Sequence, residues 1–276
     1  MRRADLLRSA VARLQASGID APARDARLLL RAASQLDPAS LTARLGESAP
    51  PAEAAQFETH IAARIRRQPV AQIVGYRHFW GRNFTVTSAV LDPRPETETL
   101  IAEALDGPKA QRILDLGTGS GVLLISLLAE WPEATGLGTD LSSDALAVAV
   151  RNAACHGMQG RAAFEQSDWL AAVTGRFDLI LCNPPYIGQS DIHRLAPELL
   201  DWEPRMALSP GQDPLCVYRL LSRNLEVHLA PGGRILFEIG LNQAPELLKI
   251  YSETKGWRTS FRNDFDGRPR CAIVQR

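Results

Sequence analysis

The sequence predicts an α/β protein: a parallel sheet covered on both faces by helices, preceded by an N-terminal helical bundle domain and a β-hairpin linker. Three observations predict this. From Arg112 onward, short apolar strand-like runs alternate with helical patterns, as parallel sheets require. A glycine-rich turn, Gly117-Thr118-Gly119-Ser120-Gly121, separates the first such strand from the first helix. Residues before about 70 carry helical periodicity alone. The chain divides accordingly into 1–72, helical; 73–95, linker; and 96–276, sheet domain.

In the first region Leu6, Leu7, Ala10, Val11 and Leu14 share one helical face, and Gly18 is a stop signal. Asp20 is placed to cap a second helix, with Pro22 in its first turn. A third helix is expected over Ala52–Arg67, before Pro69. In the linker, Phe79, Trp80, Phe84, Val86 and Val90 are spaced as in strands, with Gly81-Arg82-Asn83 as the turn. Two prolines make Leu91–Glu98 stiff and extended. Strands are then expected at Arg112–Leu116, Thr135–Thr139, Ala162–Gln166, Phe177–Cys182 and Gly233–Ile239. Helices are expected at Gly121–Glu130, Ser143–His156, Pro214–Leu229 and Ala244–Lys255. Arg258–Asn263 and Cys271–Val274 follow without a long helix between them, which suits an antiparallel edge pair.

Composition narrows the function. The 276 residues carry 31 Lys+Arg against 31 Asp+Glu, so the formal charge is zero. That argues against a protein that grips nucleic acid mainly by neutralising phosphates, without excluding a local basic patch. The split is mild: 11 arginines against 7 acids through Gly75, and a remainder of −4. There is no signal-peptide core, and the longest apolar stretch, Val122–Ala129, is far short of a membrane span. A soluble cytoplasmic protein with no membrane partner is expected. Cysteines at 155, 182, 216 and 271 form no C-x-x-C pair, which fits buried free thiols and no metal site.

Four segments carry chemistry. The Gly117–Gly121 turn lets backbone approach a ligand closely, although tight turns alone use the same residues. Asp140 ends the next strand 23 residues beyond Gly117, a spacing suited to an acid that holds a ribose diol, or else to a helix N-cap. Ser142 or Ser143 offers an alternative cap. Asp168 and Trp169 suit an adenine amino group and ring, or a cap and a core aromatic. Asn183-Pro184-Pro185-Tyr186 is the most specific feature: a rigid turn in which the Asn side-chain carbonyl and the Pro184 carbonyl both accept from a substrate NH₂. Tyr186 would pack on the flat substrate group.

Together, Asp115–Gly121, Asp140, Asp168-Trp169 and Asn183–Tyr186 resemble the class I S-adenosylmethionine-dependent methyltransferases, in the subset that methylates nitrogens of planar groups. The helical N-terminal block, Phe79-Trp80, Pro93-Arg94-Pro95-Glu96-Thr97-Glu98, Arg151-Asn152-Ala153 and Asp264–Arg268 resemble the glutamine methyltransferases of class I peptide-chain release factors. The resemblance covers nearly the whole chain and implies a Rossmann-like class I methyltransferase sheet. It also implies the cofactor S-adenosyl-L-methionine and, as substrate, the Gly-Gly-Gln glutamine of a release factor. Gly117, Thr118, Gly119, Ser120, Gly121, Asp140, Asp168, Trp169 and Asn183 would bind the cofactor. Asn183, Pro184, Pro185, Tyr186 and Arg94 would bind substrate, with Asn183, Pro184 and Tyr186 catalytic. Residues 1–72 would dock a release factor to a monomeric enzyme with no stable nucleic-acid partner. A ribosomal-protein glutamine methyltransferase, and less closely a DNA or RNA base amino methyltransferase, share the Asn183–Tyr186 motif. Asp92 departs from the family pattern, where an apolar residue is common, and leaves local linker packing open.

Overall fold

The computed structural model describes residues 1–253 and 256–276, so the expected helix end at Lys255 lies outside the described residues. The chain forms two compact units: residues 1–76 with 196–202, and residues 77–195 with 203–276.

The first unit is helical. Helices Arg3–Ala16, Pro22–Ser34 and Pro51–Ile65 bury Leu6, Ala10, Leu14, Leu29, Leu30, Phe57 and Ile61 together. The second helix departs from expectation at its start: Ala21 is the N-cap and no side chain caps it, because Pro22 already removes one unpaired donor. Pro38 opens a short helix, Pro38–Ala43, capped by Asp37 through the amides of Ala39 and Ser40. Helix Pro197–Trp202 belongs to this unit despite its position inside 96–276. Arg64 and Arg67 both donate to Glu198, and the Trp202 indole donates to the Arg66 carbonyl.

A hairpin of β1 (Tyr76–Phe79) and β2 (Arg82–Thr85) follows in the chain. Its turn is Trp80-Gly81, with φ of 45° and 72°, rather than Gly81-Arg82-Asn83. Two positive φ angles match the twist of paired strands, so Arg82 starts a strand. Val86 and Val90 are buried but lie outside any strand. The chain is extended only to Arg94; Pro95–Thr97 is a 3₁₀ turn that leads into an unforeseen helix, Glu98–Asp106. Pro95 presets φ for that turn, and Leu100, Ile101 and Ala104 give the helix its buried face.

Strands β3 (Arg112–Leu116), β4 (Thr135–Asp140), β5 (Ala162–Gln166), β6 (Phe177–Cys182), β7 (Leu229–Glu238), β8 (Arg258–Asn263) and β9 (Pro269–Gln275) form one sheet. Its order is β5-β4-β3-β6-β7-β9-β8, parallel through β7 and antiparallel at β9 and β8. Ile113, Leu179, Leu181 and Leu236 pack on one face and Leu114, Ile180, Ile235 and Phe237 on the other, as in a doubly covered sheet. The expected helix Pro214–Leu229 is shorter: Cys216–Asn224 is α-helical, Leu225–His228 is 3₁₀, and β7 starts at Leu229. Two cysteines are buried, but Cys155 is exposed and Cys216 half-buried, which corrects the expectation of four buried thiols. Among the described residues no helix is long and apolar enough to cross a membrane.

Candidate active site

Strand order reverses at β3, so ligands are expected beyond the carboxyl ends of β3 and its neighbours. The register pairs Leu116 with Thr139 and with Cys182, Asp140 with Gln166, and Cys182 with Phe237. The residues at these ends therefore emerge in a row: Asp168, Asp140, Gly117, Asn183 and Glu238. A cavity of about 340 Å³ opens there. Its walls include Gly117, Thr118, Gly119, Ser120, Asp140, Asp168, Trp169, Asn183 and Pro185, all predicted from sequence. Gly121, Pro184, Tyr186 and Arg94 stand outside the lining.

The glycine turn is held from below. Gly117, Gly119 and Gly121 have φ of 68°, 55° and 80°, which side chains disfavour. A Cβ at Gly121 would also come within 2.8 Å of Ile125, whereas one at Gly119 would meet only open space. The Thr118 amide donates to the Thr139 carbonyl, and the Gly119 amide donates to Asp140. Asn152 donates to the Ser120 carbonyl at 2.8 Å and accepts from the Thr85 amide at 2.7 Å, which ties the turn to β2. Beneath it Asp115 is wholly buried: one carboxyl oxygen accepts from the Thr118 hydroxyl at 2.6 Å and the other has no hydrogen-bond partner. Burial pushes the Asp115 carboxyl up to about 7, against the pull of Thr118.

Asp140 does not cap the next helix; Ser142 does, through the Ala145 amide. Asp140 accepts from the amides of Gly119 and Ser142, both at 2.9 Å, and each oxygen keeps acceptor capacity. Trp169 has φ of 50°, a left-handed backbone uncommon for a large residue. Its ring comes close over Gly117, 3.7 Å from where a Cβ would stand. Asp168 is exposed at the cavity rim.

Asn183 is half-buried, and its amide nitrogen lies 3.5 Å from the Thr97 hydroxyl oxygen. Thr97 donates to Glu238 at 2.6 Å, and the Tyr186 hydroxyl donates to the other Glu238 oxygen at 3.2 Å. Burial raises the Glu238 carboxyl above its ordinary range, opposed by Thr97, Arg270 and Tyr186. Burial also raises the Tyr186 phenol, with Glu238 adding to it. Gln243 donates to the Tyr186 carbonyl at 3.1 Å while accepting from the Gly240 amide at 2.8 Å. A Cβ at Gly240 would meet the Tyr186 ring at 2.9 Å, so glycine is needed there. Arg94 pairs with Glu203 and lies 4.0 Å from Asp92, which is itself paired with Arg77. The acid at position 92 is thus buried as a partnered charge.

The PrmC N-terminal domain family matches residues 5–75, and the methyltransferase small domain family matches residues 94–216. A release factor glutamine methyltransferase of Cereibacter sphaeroides is 54% identical, with 100% of this chain and 99% of the relative covered. The chain belongs to the release factor glutamine methyltransferase family. A second such relative, from Rhodospirillum rubrum, is 41% identical over 96% of this chain and 82% of its own length. The solved catalytic domain of hMettl16, in complex with a MAT2A 3′UTR hairpin, shares the fold. It has a TM-score of 0.57 at 16% identity and covers 80% of each chain.

For this member of the family, the register joins what the sequence keeps apart. Thr97, Asn152, Glu238 and Gln243 make contacts on the site; Thr97 and Asn152 stand in segments that carry the family resemblance, which implies no role for them, and no motif covers Glu238 or Gln243. Glu238 carries one signal: an acid at the end of the apolar run Ile235–Phe237, at the carboxyl end of a strand. Thr97 carries only the family resemblance of Pro93–Glu98, a proline-rich segment that reads as linker.

Proposed function

We propose that this protein transfers a methyl group from S-adenosyl-L-methionine to the side-chain amide nitrogen of the glutamine in the Gly-Gly-Gln motif of class I peptide-chain release factors. One observation carries the reading: Asn183 stands on the wall of the same cavity as the glycine turn and Asp140, in a chain 54% identical along its full length to a protein of that name.

The residues present fit the cofactor. The open space above Gly119 admits a ligand against backbone, and Asp140 has acceptor capacity for a ribose diol. Trp169 offers a ring edge beside adenine, Asp168 an acceptor for its amino group, and the exposed Leu141 and Met206 are apolar surface on the cavity wall. Bound S-adenosylmethionine supplies an electrophilic methyl on a sulfonium centre.

An amide nitrogen is a weak nucleophile because its lone pair is shared with the carbonyl. The chain's task is therefore positioning, which can lower a barrier by roughly 7–11 kcal/mol. The Asn183 side-chain oxygen and the Pro184 carbonyl accept from the glutamine NH₂, hold its lone pair toward the methyl, and stabilise charge as it develops on nitrogen. Pro185 stiffens the turn, and Tyr186 and Arg94 shape the substrate entrance. The proton leaves to solvent afterwards. The helical unit docks the release factor, and the enzyme works as a cytoplasmic monomer without stable nucleic-acid binding.

The test is mass spectrometry of a release factor after incubation with the purified protein and S-adenosylmethionine. A methyl on the Gly-Gly-Gln glutamine is expected. An unmodified glutamine, with label on ribosomal protein or on nucleic acid, overturns the reading.

A further inference from the structure

Asn183 presents two chemically opposite ends of one amide, and only the oxygen end can accept from a substrate NH₂. Something must fix which end faces the cavity. The Thr97 hydroxyl has one proton, and it is committed to Glu238 at 2.6 Å. Toward Asn183 the Thr97 oxygen can then offer only lone pairs, so it selects the Asn183 NH₂ as its neighbour, at 3.5 Å. A flipped Asn183 would set carbonyl oxygen against hydroxyl lone pairs. Glu238 is itself anchored by its second donor, the Tyr186 hydroxyl. Arg270, whose guanidinium donates to the Ile239 carbonyl at 3.0 Å, adds its positive charge nearby. Thr97 and Glu238 are both buried, with 2% and 1% exposure, so water does not compete for these bonds.

We infer that Glu238, acting through Thr97, is a positioning relay that sets the polarity of the Asn183 amide and so makes the site select a substrate amide over a carboxylate. The inference rests on the proposed function of Asn183. The 3.5 Å contact is long, as site hydrogen bonds often are before substrate tightens them.

The experiment compares Thr97→Val, Thr97→Ser, Glu238→Met and Asn183→Ala. It measures kcat and KM for a recombinant class I release factor, S-adenosylmethionine affinity by calorimetry, and thermal midpoint. It also measures the affinity of the same release factor carrying Glu in place of the Gly-Gly-Gln glutamine. Thr97→Val and Glu238→Met should each lower kcat about 10-fold, the worth of one net hydrogen bond in the transition state. Cofactor affinity should stay within about twofold, and the preference for Gln over Glu should narrow several-fold, because Asn183 is then free to present its NH₂. Thr97→Ser keeps the hydroxyl and should restore both readouts. If Asn183→Ala is inactive while Thr97→Val and Glu238→Met keep wild-type kcat and discrimination, the relay is overturned. It is overturned equally if kcat, cofactor affinity and thermal midpoint fall together with discrimination intact. If Asn183→Ala itself keeps full rate, the underlying role of Asn183 fails instead.

Discussion

The helical unit and the strand ends of the sheet unit bury acids in different ways. In the helical unit, Arg3 grips Glu53 with two bonds of 2.7 Å, and Arg64 pairs with Asp25 at 2.9 Å and Glu198 at 3.0 Å. Each buried acid there meets a guanidinium, and the bonds cross between helices far apart in sequence. At the crevice of the sheet unit, Asp115 and Glu238 are buried against hydroxyls instead. Asp115 keeps one oxygen with no hydrogen-bond partner, as Asp25 does in the helical unit. A guanidinium gives a buried acid a charged partner, whereas a hydroxyl gives it only a hydrogen bond. The same residue types thus serve architecture in one unit and the site in the other.

Breaking each arrangement tests the contrast. The largest effect is expected from Glu53→Ala, which leaves the buried Arg3 guanidinium only its longer contacts to Glu47 and the Arg44 carbonyl and should cost roughly 3–5 kcal/mol of stability. Chemical denaturation should show the loss, while S-adenosylmethionine affinity stays near wild type. Next is Asn183→Ala, for which we expect a drop of about 10²–10³-fold in kcat with thermal stability little changed. Single-turnover methyl transfer reads this directly, and retention of rate would remove Asn183 from its role.

Asp115 sharpens the contrast through pH. Its folded-state carboxyl titrates near 7, well above an ordinary aspartate, so the folded state prefers the protonated form. Its favourable contribution is fully present below about pH 4 and is lost as pH rises toward 7. Asp115→Asn, which cannot ionise, should therefore gain on the wild type over that interval, by on the order of 4 kcal/mol at pH 8. Denaturation series at several pH values check the sign; a difference that does not vary with pH would refute it. The smallest effect should come from Asp140→Ala, with S-adenosylmethionine bound about 10-fold more weakly by calorimetry and no loss of fold.

Much of the fold was legible because burial imposes a period. The runs at Arg112–Leu116, Ala162–Gln166, Phe177–Cys182 and Arg258–Asn263 are strands over those same residues. The helix Glu98–Asp106 was not legible, since the prolines before it read as an extended linker although Pro95 starts a helical turn. The hairpin turn moved by one residue because Trp80 adopts a left-handed backbone that its residue type does not advertise. Helix Pro197–Trp202 joins the helical unit through Glu198 and Trp202, partners more than a hundred residues from Arg64 and Arg66 in the chain. No local pattern encodes such a pairing.

For the site, the sequence by itself determined the chemistry on offer: glycines that bare a backbone, an acid at a strand end, and an Asn-Pro-Pro-Tyr turn. Each depends on local backbone conformation and residue type, which neighbours along the chain dictate. Only the tertiary structure decided which groups stand together. The pairing of Cys182 with Phe237 brings Glu238 beside Asn183, and the 3₁₀ turn at Pro95–Thr97 brings the Thr97 hydroxyl between them. Strand register and helix packing are set by the fit of the whole core, and that fit turns a linker threonine and a buried glutamate into the support of the Asn183 amide.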